Sequence, residues 1–237
     1  MASPFRFKQF TIAQDRAAMK VGTDGVLLGA WTPLEPMPGT ILDIGAGTGL
    51  IALMLAQRSA AETIDALEID PEAFEQCVGN FEASPWADRL FCYHAGLEEF
   101  VAEMEGGYDL VVSNPPFYPG EVPSGDPSRD LARQQQALPF GVLLAGAAAL
   151  LSPRGQFCLI LPYAEEAGFI RLAASHGLFP NRITRVRGTA GSPLKRSLLC
   201  FSFRESEVQE DELVLEVGRN RFSEAYRDLT REFYLNR

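Results

Sequence analysis

The stretch Thr40-Ile41-Leu42-Asp43-Ile44-Gly45-Ala46-Gly47-Thr48-Gly49, continued by Leu50-Ile51-Ala52-Leu53-Met54-Leu55-Ala56-Gln57-Arg58, decides the fold. Its first half is a short apolar run with a glycine-rich break behind it, the pattern of a buried strand. Its second half has good helix formers and no Pro or Gly, so a helix begins directly at the glycine turn. Strand, glycine loop and helix therefore follow one another without a linker.

The same alternation continues downstream. Thr63 to Ile69 reads as the next strand, followed by a helix running toward Phe81 with Asp70 as N-cap and Pro71 at its first position. Leu90–His94, Leu110–Ser113 and Gln156–Leu161 are further strands, and Leu97–Met104 and Phe140–Leu151 fit helices between them. Parallel neighbours need crossover helices, so the pattern predicts a doubly wound α/β fold. Arg182–Val186 and Ser197–Phe203 flank a loop with Gly188, Gly191 and Pro193, predicting an antiparallel hairpin that completes a mostly parallel seven-stranded sheet. A charged tail closes the chain.

Composition excludes several classes. The chain has 237 residues, 46% of them hydrophobic and 22% charged, which suits one water-soluble globular domain. No apolar run approaches the roughly 20 residues of a membrane span, and the opening Met1–Phe10 lacks an apolar signal core, so a cytoplasmic protein is expected. Cys77, Cys92, Cys158 and Cys200 are widely spaced and read as small buried hydrophobes. With His94 and His176 the only histidines, no metal site is expected.

The formal charge of -10 argues against a generic nucleic-acid coat, yet it is unevenly spread. From Leu178 to Arg204 the chain carries Arg182, Arg185, Arg187, Lys195, Arg196 and Arg204 and no acid. Near the start, Arg6, Lys8, Arg16 and Lys20 are interleaved with Phe5, Phe7 and Phe10, a mixture that offers phosphate contacts and stacking faces, or simply a solvated surface. The Gly/Pro/Ser-rich stretch from Tyr118 to Ser128, extending to Gln136, lies directly behind the fourth strand, where a substrate loop is expected.

Two constellations carry chemistry. Gly45, Gly47 and Gly49 let a ligand approach the backbone, but their GxGxG spacing departs from the dinucleotide pattern and an acid, Asp43, precedes it. Glu68, at the end of the next strand, can accept hydrogen bonds from the vicinal hydroxyls of a ribose, so an adenosine-containing cofactor is implied. The fourth strand ends in Asn114-Pro115-Pro116-Phe117, where two prolines stop sheet pairing and turn the chain outward at the same edge as the glycine loop. The Asn114 amide oxygen and the Pro115 carbonyl can accept from an exocyclic amino group, and the Phe117 ring can stack on a base. The competing structural readings are tight helix–strand packing for the glycines and a rigid turn with Phe117 in the core.

Asp43-Ile44-Gly45-Ala46-Gly47-Thr48-Gly49 with Glu68 resembles the Class I S-adenosylmethionine-dependent methyltransferases of Rossmann-like fold. That resemblance implies S-adenosylmethionine as cofactor, with Asp43 serving its methionine end and Glu68 its ribose. The chain is also similar nearly end to end to the bacterial tRNA(Val) adenine N6-methyltransferase family. The shared stretches are the opening Phe5–Trp31, the block from Asp43 to Arg58, Ser84–Arg89, Ser113–Tyr118 and the closing Phe222–Leu235.

The similarity implies N6-methylation of adenosine 37 in tRNA and a segment Lys20–Asp24 closing over the methionine part, with Thr23 and Asp24 as contacts. With no internal repeat or linker in the sequence, a monomer is expected, with a single domain over 1–237 divided into an N-terminal arm at 1–38, a catalytic core at 39–204 and an extension at 205–237. Two positions depart from the pattern: Phe117 stands where many amino-methylating enzymes carry Tyr, and Gly96 where a third acid meets adenine. Competing functions are glutamine methylation in a release factor and a non-catalytic RNA-binding relic.

Overall fold

The computed structural model describes residues 3–104, 106–116, 138–219 and 221–235. In the central part, β3 (Thr40–Ile44), α2 (Leu50–Arg58), β4 (Thr63–Glu68), α3 (Pro71–Glu82), β5 (Leu90–His94), α4 (Leu97–Glu103) and β6 (Tyr108–Ser113) alternate as the apolar runs predict. Asp70 caps α3 by accepting from the Ala73 amide, and Pro71 occupies its first turn. Then come α5 (Phe140–Leu150), β7 (Leu151–Pro162), a 3-10 turn over Tyr163–Glu165, α6 (Glu166–Ser175), β8 (Phe179–Arg187) and β9 (Leu194–Ser202).

The sheet order is β10-β8-β9-β7-β6-β3-β4-β5, where β10 is Gln209–Val214. Strands β7, β6, β3, β4 and β5 are mutually parallel; β9 runs antiparallel to both β7 and β8. The hairpin expected at the sheet edge is thus present. It is not the outermost element, because the tail contributes an eighth strand, β10, parallel to β8.

Side chains alternate across the sheet and divide the core in two. One face packs Ile41, Ile64, Val112 and Cys158 under α1 (Thr23–Trp31), α2 and α3; the other packs Leu42, Leu67, Val111 and Leu159 under α4, α5 and α6. Three of the four free cysteines are buried and Cys92 is half-buried.

Two readings of the charged and aromatic segments are corrected. The arm's hairpin, β1 (Phe5–Arg6) with β2 (Thr11–Ile12), turns Phe7 and Phe10 inward, where they stack on each other at 4.7 Å and are all but buried. Phe5 and Phe7 also meet Tyr234, and Phe10 meets Trp86, so Phe7 and Phe10 bury apolar area and present no stacking face, while Phe5 is half-buried. The arginines of the basic strand β8 are paired with acids. Asp211 and Glu212 of β10 lie 3.8 and 2.8 Å from Arg182 and Arg187, and Glu210 and Glu166 each sit within 2.8 Å of Arg185.

The remaining tail forms β11 (Glu216–Gly218), β12 (Arg221–Phe222) and α7 (Glu224–Thr230), burying Tyr226 and Phe233 against the α1 side of the core. Among the described residues no helix is long and apolar enough to cross a membrane.

Candidate functional site

The carboxyl ends of β6, β3, β4 and β5 form one edge. Ile44 is in register with Ser113 on one side and Leu67 on the other, and Glu68 with His94, so Gly45, Glu68, His94 and Asn114 lie level at that edge. The strand order reverses direction at β3, and the crevice above such a reversal is where open α/β sheets hold ligands.

Gly45, Gly47 and Gly49 all have positive φ, at 73°, 57° and 77°. Their roles differ. A Cβ on Gly45 or Gly47 would meet nothing within 4 Å, so both face open space, whereas one on Gly49 would lie 2.5 Å from Phe81 and 2.9 Å from the Cys77 sulfur. Gly49 is therefore a packing glycine, as the structural reading of the motif required, and the first two form the open cradle.

Four of the loop's own amides are bonded internally. Gly45 and Ala46 both donate to the Leu67 carbonyl at 2.9 Å, Gly49 donates to Ala46, and Gly47 donates to Glu68 Oε2 at 2.8 Å. The other Glu68 oxygen accepts from Asp70 N at 2.9 Å. A phosphate cradle needs outward-facing N–H donors and positive potential. Here four such amides are turned inward and two carboxylates flank the loop, a setting that disfavours a pyrophosphate and suits a cationic, hydroxyl-bearing ligand.

Asp43 is 0% exposed. Its Oδ2 accepts from the Ala52 amide in the first turn of α2 at 3.2 Å, and its Oδ1 has no partner. Burial pushes its carboxyl up to about 7, the Ala52 amide opposes the shift, and the nearby Glu68 charge adds to it. A buried acceptor without a partner costs stability, so Asp43 is poised for a donor that the chain itself does not supply.

At the neighbouring strand end, the Ser113 hydroxyl donates to the Ile44 carbonyl at 2.9 Å. This bond ties β6 to β3 one residue before both turns. Pro115 is buried, while Asn114 and Pro116 are half-exposed. Phe117, and the expected substrate loop from Tyr118 to Gln136, lie outside the described residues.

Thr23 and Asp24 open α1. That helix lies close on α2 through two glycines one turn apart: a Cβ on Gly25 would be 3.1 Å from Leu50, and one on Gly29 2.7 Å from the Met54 sulfur. Since Leu50 starts α2 directly after the glycine loop, Thr23 and Asp24 are brought beside that loop. Asp24 is held by Arg196 of β9 at 2.8 Å.

Several neighbours escaped the sequence reading. Ile69, immediately after Glu68, is 65% exposed, and a Cβ on Gly96 would be 3.6 Å from its Cδ1. Gly96 itself is the N-cap of α4. Gln76 and Asn80 are buried on α3 and bind the arm. An amide at each of two positions of a helix's buried face is a legible signal, because polar groups there need partners.

The chain matches the methyltransferase small domain family over residues 24–162. It is 59% identical over 234 residues, 98% of each chain, to a protein of Christiangramia forsetii named tRNA1(Val) (adenine(37)-N6)-methyltransferase. Proteins of the same name match at 60% identity in Flavobacterium johnsoniae (98% of this chain, 99% of that one) and 46% in Bacteroides fragilis (99% of each). Among solved structures, a predicted O-methyltransferase from Agrobacterium tumefaciens superimposes with a TM-score of 0.67 at 22% identity, covering 89% of this chain and 96% of that one, a likeness of fold. The open glycine cradle, the acids that line it and full-length identity of this order converge: the chain belongs to the tRNA1(Val) (adenine(37)-N6)-methyltransferase family.

Proposed function

We propose that the chain binds S-adenosylmethionine in the glycine cradle and methylates N6 of an adenosine in tRNA, adenosine 37 of tRNA(Val). The observation that carries this reading is the pairing of Ile44 with Ser113, which sets a cradle for a cationic nucleoside cofactor beside an Asn-Pro-Pro turn able to hold an amino group.

The residues fit that cofactor. Glu68 keeps free lone pairs for ribose hydroxyls although each oxygen already takes one backbone amide. Asp43, with its orphaned Oδ1, takes the methionine ammonium directly or through water, and Thr23 and Asp24 close the same end. Exposed Ile69 offers adenine an apolar face, which removes the need for a third acid at Gly96. Gly45 and Gly47 leave the room, and Gly49 holds the loop on α3. When bound, the cofactor supplies a sulfonium-activated methyl group.

The chain's own task is to make a poor nucleophile usable. The adenine amino lone pair is delocalised into the ring. Acceptors at Asn114 Oδ1 and the Pro115 carbonyl hold the two amino hydrogens, favour a pyramidal nitrogen and stabilise the positive charge that develops on it. The second proline keeps the turn rigid, so these acceptors are preorganised. Phe117 is assigned the base-stacking role by its place in the motif. The nitrogen gains the methyl and afterwards loses one proton to solvent, so no strong general base is needed.

Incubation of the protein with S-adenosylmethionine and unmodified tRNA, followed by mass mapping of nucleosides, should yield N6-methyladenosine next to the anticodon. Methyl incorporation that survives ribonuclease would replace RNA by protein as the acceptor.

A further inference from the structure

Ala13 to Ala17 form no helix or strand, yet four of their backbone groups are bonded by two side chains of α3. Asn80 Oδ1 accepts from Ala13 N at 2.8 Å, and its amide nitrogen donates both to Ala13 O at 3.0 Å and to Thr48 O of the glycine loop at 2.8 Å. One turn earlier, Gln76 Oε1 accepts from the amides of Arg16 and Ala17 at 3.0 Å each, and its nitrogen donates to Asp15 at 2.8 Å. One carboxamide therefore joins the arm to the cradle. Only a carboxamide supplies an acceptor together with two donor hydrogens.

The anchored segment is followed within a few residues by Lys20–Asp24. Its placement fixes how that stretch enters α1 beside the loop. We propose that Gln76 and Asn80 are positioning residues for the cofactor: by clamping Ala13–Ala17 they hold Thr23 and Asp24 over the cradle, so that arm docking and cofactor affinity rise and fall together. This rests on the cofactor reading above.

Two variants test it. Gln76→Met keeps bulk and releases the arm without touching the loop. Asn80→Asp keeps the acceptor for Ala13 N but turns a second acceptor toward two carbonyls. S-adenosylhomocysteine serves as the probe, with affinity measured by calorimetry, KM and kcat by methyl transfer, and amide exchange read at Ala13, Arg16 and Ala17.

The wild type should bind the probe and show slower exchange at those amides on binding. Each folded variant should exchange faster there and lose about tenfold or more in affinity, with KM for S-adenosylmethionine rising and kcat at saturation little changed. A Gln76→Met protein with a loosened arm and wild-type affinity overturns the proposal. So does one whose arm amides exchange as in the wild type. If Asn80→Asp does not fold, Gln76→Met decides alone. A wild-type chain that fails to bind the probe overturns the cofactor reading itself, a result separable from the other two.

Discussion

Ser113 faces Ile44 in register, and its hydroxyl donates to the Ile44 carbonyl at 2.9 Å, so the residues that follow each of them, Asn114 and Gly45, start their turns from a fixed point. Adjacent strands lie about 4.8 Å apart, a separation that allows both turns to address one ligand pair. In the proposed mechanism Asn114→Ala removes an acceptor used when charge develops on the amino nitrogen, not when the cofactor binds. The expected loss is about 10²–10³ in kcat with cofactor affinity unchanged. Single-turnover methyl transfer beside calorimetric titration checks this, and an equal loss in both would move Asn114 into the cofactor site.

With Asp43 in its proposed place at the methionine end of the cofactor, its burial should make cofactor binding depend on pH. Its carboxyl stands near 7 rather than the ordinary 3.8, because burial disfavours the charged form. The native state thus holds a proton that the unfolded state has lost between about pH 4 and 7, and over that window stability falls as pH rises. A ligand cation reverses the preference and favours the ionised carboxylate. Affinity for S-adenosylhomocysteine, whose ammonium is retained, should weaken by up to about tenfold per unit as pH drops below 7 and level off above it. Asp43→Asn should flatten that profile at a low affinity while raising the melting temperature of the free protein at pH 8.

Gly47 and Gly49 share a backbone conformation and part company in what surrounds them. Alanine at Gly47 projects into open space, so it should cost only about 1–2 kcal/mol of left-handed strain while obstructing the cradle. Alanine at Gly49 adds a clash with Phe81 and Cys77 to the same strain and should cost about 3–5 kcal/mol. Thermal unfolding with and without S-adenosylhomocysteine separates them: Gly47→Ala should fold and lose the ligand-induced shift, and Gly49→Ala should melt early.

What the sequence disclosed depended on the range of the interaction. The strands and helices of the core follow from local periodicity, and helix α2 and the Asp70-Pro71 start of α3 stand where propensity and capping place them. The glycine motif was legible as a strand-to-helix turn, but not which glycines face open space, since that depends on Phe81 and Cys77 approaching from another helix. The burial of the arm's phenylalanines and the pairing of the arginines were not legible, for the same reason. Their partners, Tyr234 for the rings and the Glu210–Glu212 run for the arginines, lie far along the chain or in a strand whose alternation is hidden by its charges.

That pairing decides where tRNA can be held. Arg187, bound to Glu212 at 2.8 Å, adds little net positive potential, whereas Lys195 is exposed beside Arg196, the residue that pairs with Asp24. A phosphate contact releases counterions and contributes about 0.7–0.9 to the slope of log affinity against log salt. Lys195→Ala should therefore weaken tRNA binding several-fold at moderate salt and reduce that slope by about one contact. Arg187→Ala leaves an acid without its partner, so it should lower stability by about 1 kcal/mol and change tRNA affinity less than Lys195→Ala does. Filter binding over a salt series with both variants checks the ranking. If Arg187→Ala showed the larger fall in slope, the arginine run would be the RNA-holding surface after all, with the acids of β10 displaced when tRNA docks.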